Sequence, residues 1–489
     1  MGVEYKKMSE SAYSFVCSIN KNNNCSIFKS IKIIKHHIFL DLSIKQCYTD
    51  NNKSERSMAM KRKVTEQLIL WKKSSSRKPL ILNGARQVGK TYILREFGRE
   101  NYKNVVYINL ESNETAASMF DGDIDPKRLI KCLEAEAGER IIPNETLVII
   151  DEIQSCERAA TSLKYFCEQA PEYHIAAAGS LLGVAINRNK TSFPVGKVNI
   201  IQLFPLDFEE FLLVTNNDML CDEIMRCYEN IEPMNEALHK KAIELYHDYL
   251  IVGGMPEAVK SFVETNSYID ANLVQTSIID NYTADMAKYA SNSEAVKIRA
   301  CYNSIPAQLA KDNKKFQYKV VQKGGSATIF GASLDWLKQA GVILECQRVD
   351  QGMHPLAVYA DQTAFKVYMS DVGLLVNKSR MSVNTILSGE ANIFMGAVTE
   401  NYVAQQLAAK GYPLYYWSTA NSQAELDFVL QKEDKVFGIE VKKGEHVRSR
   451  SLSVFNQKYS PECSIRLSQK NFGKTEDVVS VPLYAAFLL

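Results

Sequence analysis

The segment "LILNGARQVGKTYIL", Leu80 to Leu94, decides the fold of this chain. An apolar run, Leu80 to Leu82, gives way to Gly84-Ala85-Arg86-Gln87-Val88-Gly89-Lys90-Thr91, and Ile93, Leu94 and Phe97 then recur at helical spacing. This is G-x-x-x-x-G-K-T set between a strand and a helix. The glycines let backbone N–H groups turn inward around an anion, and the N-terminus of the following helix adds the favourable end of its dipole. The pattern predicts a phosphate-binding loop over residues 84–91. Lys90 is placed to meet the β and γ oxygens of ATP, and the Thr91 hydroxyl to complete a Mg²⁺ shell.

A nucleotide hydrolase also needs a carboxylate-bearing strand, and "ETLVIIDEIQ" (Glu145 to Gln154) supplies one. Its unbroken apolar run is that of a parallel strand buried on both faces, and it ends in Asp151-Glu152. Asp151 can hold Mg²⁺ with Thr91, and Glu152 stands where a general base polarises the attacking water. "NVVYINLES" (Asn104 to Ser112) reads as a strand between the two, and "EYHIAAAGSLLG" (Glu172 to Gly183) as one after them. Ser180, at the end of the latter, either contacts the γ-phosphate or lytic water or caps a helix. Strands and helices alternating in this way predict a doubly wound parallel sheet with its ligand at the strands' C-terminal ends.

With these pieces in place the chain resembles the AAA+ ATPases, in particular an archaeal-type subgroup in which an ATPase module precedes a C-terminal region. The resemblance rests on "GARQVGKT", "IIDEIQ", "AAGSLLG", "FPLDFEEFL" (Phe204 to Leu212) and "LIVGGMPEAV" (Leu250 to Val259), spread over residues 78–260. It implies that Ser180 is a sensor residue, that residues 204–290 include a helical lid, and that the protein forms homo-oligomers sharing sites between copies, with a monomer that binds ATP and switches slowly as the alternative. Where related sequences carry Arg after Gly, "FPVGKV" has Lys197, so Lys197 and Arg188 in "INRNK" are the candidates for an arginine-finger role. Either also reads as a surface cation.

At 489 residues the chain is long enough for two to four domains. Hydrophobic content of 46% beside 23% charged residues is globular, and a net charge of +2 gives no overall bias toward nucleic acid or membrane. Eleven cysteines without C-x-x-C spacing read as reduced thiols, and the seven histidines fit no metal-ligand spacing. No apolar run is long enough for a membrane span, so a cytoplasmic protein is expected. Residues 1–57 are rich in Asn, Ser and Lys and read as a disordered extension or a mis-assigned start, with organised sequence beginning near Met58. The division that follows is 58–205 for the ATPase core, 206–290 for a helical lid or linker, 291–350 for a winged-helix-like domain and 351–489 for a nuclease-like domain.

Residues 294–349 read as helix, turn, short helix, Gly-Gly turn, helix and strand, the succession of a winged helix. Lys311, Lys314, Lys315, Lys319 and Lys323 bracket its turn and form either a phosphate-contacting surface or a solvated basic face. Further on, a helix over about 396–410 carries Glu400. "AELDFVL" then sets Glu425 and Asp427 in alternation with Leu426 and Phe428, and "VFGIEVKK" sets Glu440 and Lys442 in alternation with Ile439 and Val441. This region resembles the PD-(D/E)xK nuclease superfamily. The resemblance implies Mg²⁺ on Asp427 and Glu440 with help from Glu400, and Lys442 orienting the water. Hairpins with a charged outer face give the same pattern. Asp371, in "AFKVYMSDVGLL" (Ala364 to Leu375), reads as structural.

The fold expected is thus α/β: a doubly wound parallel-sheet P-loop ATPase domain, a helical lid and winged helix, then a smaller α/β nuclease-like domain. The function expected is Mg-dependent ATP hydrolysis coupled to DNA, bound through residues 294–349 and the C-terminal domain. The alternative is a nucleotide-dependent signalling or scaffold switch whose C-terminal domain is catalytically silent and binds a protein partner. A metabolic kinase is the third class, and the chain shows no acceptor-substrate site for it.

Overall fold

The computed structural model describes residues 60–179, 194, 196–288, 290–388, 393–419, 423–444, 450–475 and 478–489. The readings placed on residues 1–57, Ser180 and Arg188 lie outside the described residues.

The first unit is built on a parallel sheet in the order β2-β3-β4-β1-β5, with β1 Leu80–Asn83, β2 Asn104–Asn109, β3 Thr146–Asp151, β4 His174–Gly179 and β5 Asn199–Gln202. In β3, Leu147 and Ile149 belong to one apolar core and Val148 and Ile150 to another, which is why the strand reads as unbroken apolar sequence. Helix α1 (Val64–Lys73) buries Val64, Leu68 and Trp71 at helical spacing, and α2 (Lys90–Asn101) follows the phosphate loop. Helices α3 (Pro126–Ala137) and α4 (Glu157–Gln169) cover the opposite face with Leu129, Leu133, Leu163 and Phe166.

A helical layer follows: α5 Phe208–Val214, α6 Asp218–Asn230, α7 Glu236–Val252, α8 Pro256–Thr265 and α9 Tyr268–Lys288. "FPLDFEEFL" is explained by a capping box, in which Asp207 accepts from the Glu210 amide at 2.9 Å while the Glu210 carboxylate accepts from that of Asp207. The elements anticipated in the middle of the chain then appear in order as α10 Asn292–Leu309, α11 Tyr318–Val321, α12 Ala327–Gln339 and β6 Ile343–Val349.

From here the structure departs from the division drawn on the sequence. β6 and β7 (Ala360–Met369) do not close a separate small domain; they form one end of an eight-stranded sheet in the order β12-β13-β11-β10-β9-β8-β6-β7. The other strands are β8 Tyr415–Ser418, β9 Glu425–Lys432, β10 Lys435–Val441, β11 Cys463–Ser468, β12 Gly473–Lys474 and β13 Val478–Pro482. β6 runs parallel to β8, with Gln347, Arg348 and Val349 beside Tyr415, Tyr416 and Trp417, so the boundary at residue 350 falls inside a continuous sheet. Helices α13 (Val372–Lys378) and α14 (Met395–Ala409) pack on one side, and α15 (Arg450–Tyr459) on the other with Trp417, Leu426 and Phe455.

The join between the two units is specific. Gly253 (φ +71°) and Gly254 end α7, and a Cβ on Gly254 would lie 2.0 Å from the Leu206 carbonyl oxygen. Asp371 caps α13 by accepting from Leu374 at 2.9 Å, and its other oxygen accepts the Gly254 amide at 2.6 Å. The "GGMPE" and "SDVGLL" stretches therefore interlock, and Asp371 has the structural place anticipated for it.

Candidate functional site

The phosphate loop joins β1 to α2. Gly84 is required by close approach: a Cβ there would lie 2.3 Å from the Leu203 carbonyl oxygen. Gly89, at φ +92°, is the left-handed residue from which α2 starts. Lys90 is buried and donates to the Gly84 and Ala85 carbonyls at 3.0 and 2.8 Å. Burial lowers its pKa to about 8 against the pull of Glu152 and Asp151.

β3 brings its carboxylates to the same place, as its pairing with the neighbouring strands requires. Thr91 Oγ1 donates to Asp151 Oδ2 at 2.7 Å, and the Tyr107 hydroxyl to the same oxygen at 2.9 Å. A hydroxyl and a carboxylate oxygen this close beside the loop fit a Mg²⁺ site, which Thr91 and Asp151 would hold. Glu152 follows in left-handed backbone, φ +51°, and its side chain accepts from Gln154. Burial raises its pKa, with the Asp151 charge adding to the shift. The structure thus brings Thr91 and Asp151 into contact, with Lys90 and Glu152 beside them.

Sequence reasoning missed the residues that brace the loop. Arg62, ahead of α1, donates to the Val88 carbonyl at 3.2 Å and the Phe204 carbonyl at 2.6 Å, and pairs with Glu210 at 3.1 Å. Asp285 on α9 pairs with Arg86, while the Tyr282 hydroxyl donates to the Arg86 carbonyl at 3.0 Å. Behind the loop, a Cβ on Gly341, in the turn from α12 to β6, would lie 3.0 Å from the Ala85 nitrogen. None of these partners has a local sequence signal. Lys197 does not turn toward this loop's partners but pairs with Glu168 on α4 at 2.9 Å.

The C-terminal residues are assembled in a way the alternation did not anticipate. The pairing of β8 with β9 shifts register between Tyr415 and Trp417, and Leu426 and Phe428 consequently enter different cores. Asp427, at this irregularity, accepts the Val441 amide at 2.8 Å. Glu440 pairs with Lys442, and among the described residues its other, buried oxygen has no hydrogen-bond partner. Glu400, only 2% exposed, is surrounded by cations: it accepts from Lys366 at 3.1 Å, from Lys314 and from the Tyr368 hydroxyl. Burial alone would raise the Glu400 pKa, but Lys314 and Lys366 hold it well below the carboxylate range. Lys366 also pairs with Glu425 at 2.8 Å.

One expectation is corrected here. Lys314 faces inward to Glu400 and is not part of a solvent-facing basic strip, although Lys311, Lys319 and Lys323 are exposed. Among the described residues no set of three or more His, Cys, Asp or Glu side chains is disposed to hold a metal ion. Lys314 and Lys366 supply the positive charge beside Glu400. Asp427 is left with its pKa raised to about 7 by burial and then by the Glu400 charge.

The AAA domain family matches residues 76–212. Two families described as domains of unknown function match residues 243–385 and 395–485. Comparison with curated proteins finds no match. Among solved structures, the Walker-type ATPase of Pyrococcus abyssi is similar at 15% identity over 68% of this chain and 99% of its own, with a TM-score of 0.40. The Aeropyrum pernix ORC2 protein is similar at 13% identity over 73% of this chain and 97% of its own, TM-score 0.35. The Thermotoga maritima RuvB Holliday junction branch migration motor shows 14% identity over 57% and 87%, TM-score 0.27. Among the described residues no helix is long and apolar enough to cross a membrane. The loop geometry, the Asp151-Glu152 strand and the family match together make residues 76–212 an AAA domain of the P-loop ATPase type.

Proposed function

We propose that the chain is a cytoplasmic Mg-dependent ATPase whose nucleotide state is relayed to the eight-stranded unit, which binds or processes DNA together with residues 294–349. The observation that carries this reading is the contact of the phosphate loop with both α9, through Arg86 and Asp285, and the α12–β6 turn at Gly341. A change at the loop is then felt in the two elements that lead to the sheet.

In this mechanism Lys90 exchanges the Gly84 and Ala85 carbonyls for phosphate oxygens, and the loop amides and the start of α2 orient the phosphates. Mg²⁺ on Thr91 and Asp151 would neutralise charge on the phosphate oxygens. Glu152 leaves Gln154 and accepts a proton from the attacking water. Ser180 is proposed as a sensor of the γ-phosphate, and neighbouring copies of a homo-oligomer as contributors to the site.

A second reading is favoured by the Glu400 cluster. With Glu400 held by Lys314 and Lys366, the C-terminal domain is a catalytically silent member of its fold, and ATP drives a signalling or scaffold switch that contacts a protein partner. The test is ATP turnover by the full chain with and without single- and double-stranded DNA at two salt concentrations, scoring the DNA for Mg²⁺-dependent breaks. DNA stimulation that weakens with salt and is lost in Lys90→Ala supports the first reading. Breaks abolished by Lys442→Ala add a nuclease; turnover indifferent to DNA, without breaks, selects the second.

A further inference from the structure

Arg86 occupies the third position of the phosphate loop, and it is held twice by α9. Its guanidinium pairs with Asp285, and the Tyr282 hydroxyl donates to its carbonyl at 3.0 Å. The arrangement is asymmetric in burial: the Arg86 side chain is 40% exposed and that of Asp285 only 9%. Arg86 stands in the loop beside the lysine of the proposed reaction, since Lys90 donates to the carbonyls of Gly84 and Ala85, the two residues before Arg86, at 3.0 and 2.8 Å. The outside candidate, Lys197, is engaged by Glu168. A planar guanidinium matches phosphate oxygens bidentately and stays charged at any working pH.

We infer that Arg86 is a phosphate-contacting cation that the loop supplies within its own chain, and that its pairing with Asp285 is the resting alternative it gives up when a triphosphate enters. This rests on the ATPase reading above and adds a residue and a switch to it. In the hydrolytic step the water oxygen bonds to the γ-phosphorus, the bond from that phosphorus to the β-bridging oxygen breaks, and the water's proton passes to Glu152. Arg86 changes no bond; it offsets the charge on the γ oxygens. Release of Arg86 strips Asp285 of its cation in a largely buried site, where burial already raises its pKa and Arg86 is the leading partner that lowers it. The end of α9 must therefore move or Asp285 must take up a proton. α9 is tied to α13 through Asn377, which donates to the Asn272 carbonyl at 3.0 Å, so a shift of α9 reaches the interlocked glycines and Asp371.

The test is steady-state ATP turnover by the full chain and its Arg86→Gln, Arg86→Lys, Asp285→Asn and Arg86→Gln/Asp285→Asn variants, with ADP binding as the check of folding. Arg86→Gln is expected to lower kcat at least tenfold, about 1.4 kcal/mol, while KM changes far less. Arg86→Lys should retain intermediate turnover. Asp285→Asn should raise turnover in the native loop and do nothing in the Arg86→Gln background, because the carboxylate acts only by holding Arg86. Asp285→Ser gives a second neutral replacement should Asn not fold. Wild-type kcat in Arg86→Gln overturns the inference and leaves the ATPase reading standing, as does an Asp285→Asn effect that is the same in both backgrounds. A chain with no turnover sensitive to Lys90→Ala overturns both.

Discussion

Replacing Asp371 by Ala should loosen the join between the ATPase unit and the eight-stranded sheet, with an energy that depends on pH in a defined direction. Asp371 is 0% exposed and accepts from Gly254 at 2.6 Å, Leu374 at 2.9 Å and Gln405 at 3.3 Å. Alanine leaves two backbone N–H groups buried without an acceptor, at about 1–3 kcal/mol each, so about 2–6 kcal/mol is lost. Burial raises the carboxyl from 3.8 to about 6 against the hydrogen bonds from Gly254 and Leu374. The folded chain therefore binds more protons here than the unfolded chain, and this stabilisation is full below the unfolded value of 3.8 and lost as pH rises through about 6. Between pH 5 and pH 7.5 the native chain gives up about 1.4 kcal/mol through this group, which the variant cannot. Urea unfolding of both proteins at the two pH values, followed by tryptophan fluorescence, measures the gap. It should be smaller at pH 7.5 by roughly that amount. A gap below about 1 kcal/mol at both pH values, or one that widens with pH, refutes the account.

Glu152→Gln should bind ATP as the native chain does while hydrolysis is lost; unchanged turnover would remove Glu152 from the base role. Lys366→Met should lower stability by about 1.5–3 kcal/mol in thermal melts, because it removes one of the two lysines that hold the buried Glu400 and leaves the carboxylate to Lys314 and the Tyr368 hydroxyl. Adding Glu400→Leu should recover much of that loss, and failure to recover any would show that the pair is not the cause. Gly438→Ala should cost about 1–3 kcal/mol by overpacking; the added Cβ would lie 2.8 Å from a Leu426 methyl and 3.0 Å from the Phe455 ring. A Gly438→Ala melt at the native temperature would contradict the packing of α15 on the sheet.

The ATPase core was legible because its signals are local. Eight consecutive residues define the loop, and the unbroken apolar run before Asp151-Glu152 can be satisfied only by a strand buried on both faces. What the sequence concealed is set by partners distant along the chain. Asp285 reaches Arg86 across a separation of 199 residues, and Lys314 reaches Glu400 across 86, with nothing in either neighbourhood to mark the pairing. Lys366 sits in an ordinary-looking strand, "AFKVYM", and gives no sign that its ammonium is almost wholly buried. The alternation in "AELDFVL" was a sound guide until the irregular pairing with β8 reset the faces at Asp427. A bulge of this kind carries no signature when the residues on both sides of it are apolar.

The parallel pairing of β6 with β8 has a consequence for how this protein can be divided. The two families of unknown function meet between residues 385 and 395, so a cut placed there by sequence similarity alone severs a hydrogen-bonded ladder. Each fragment would carry a raw strand edge, Gln347 to Val349 on one and Tyr415 to Trp417 on the other, open to pairing with further copies. The two regions share one sheet, so a fragment meant to report on the fold of either must carry both.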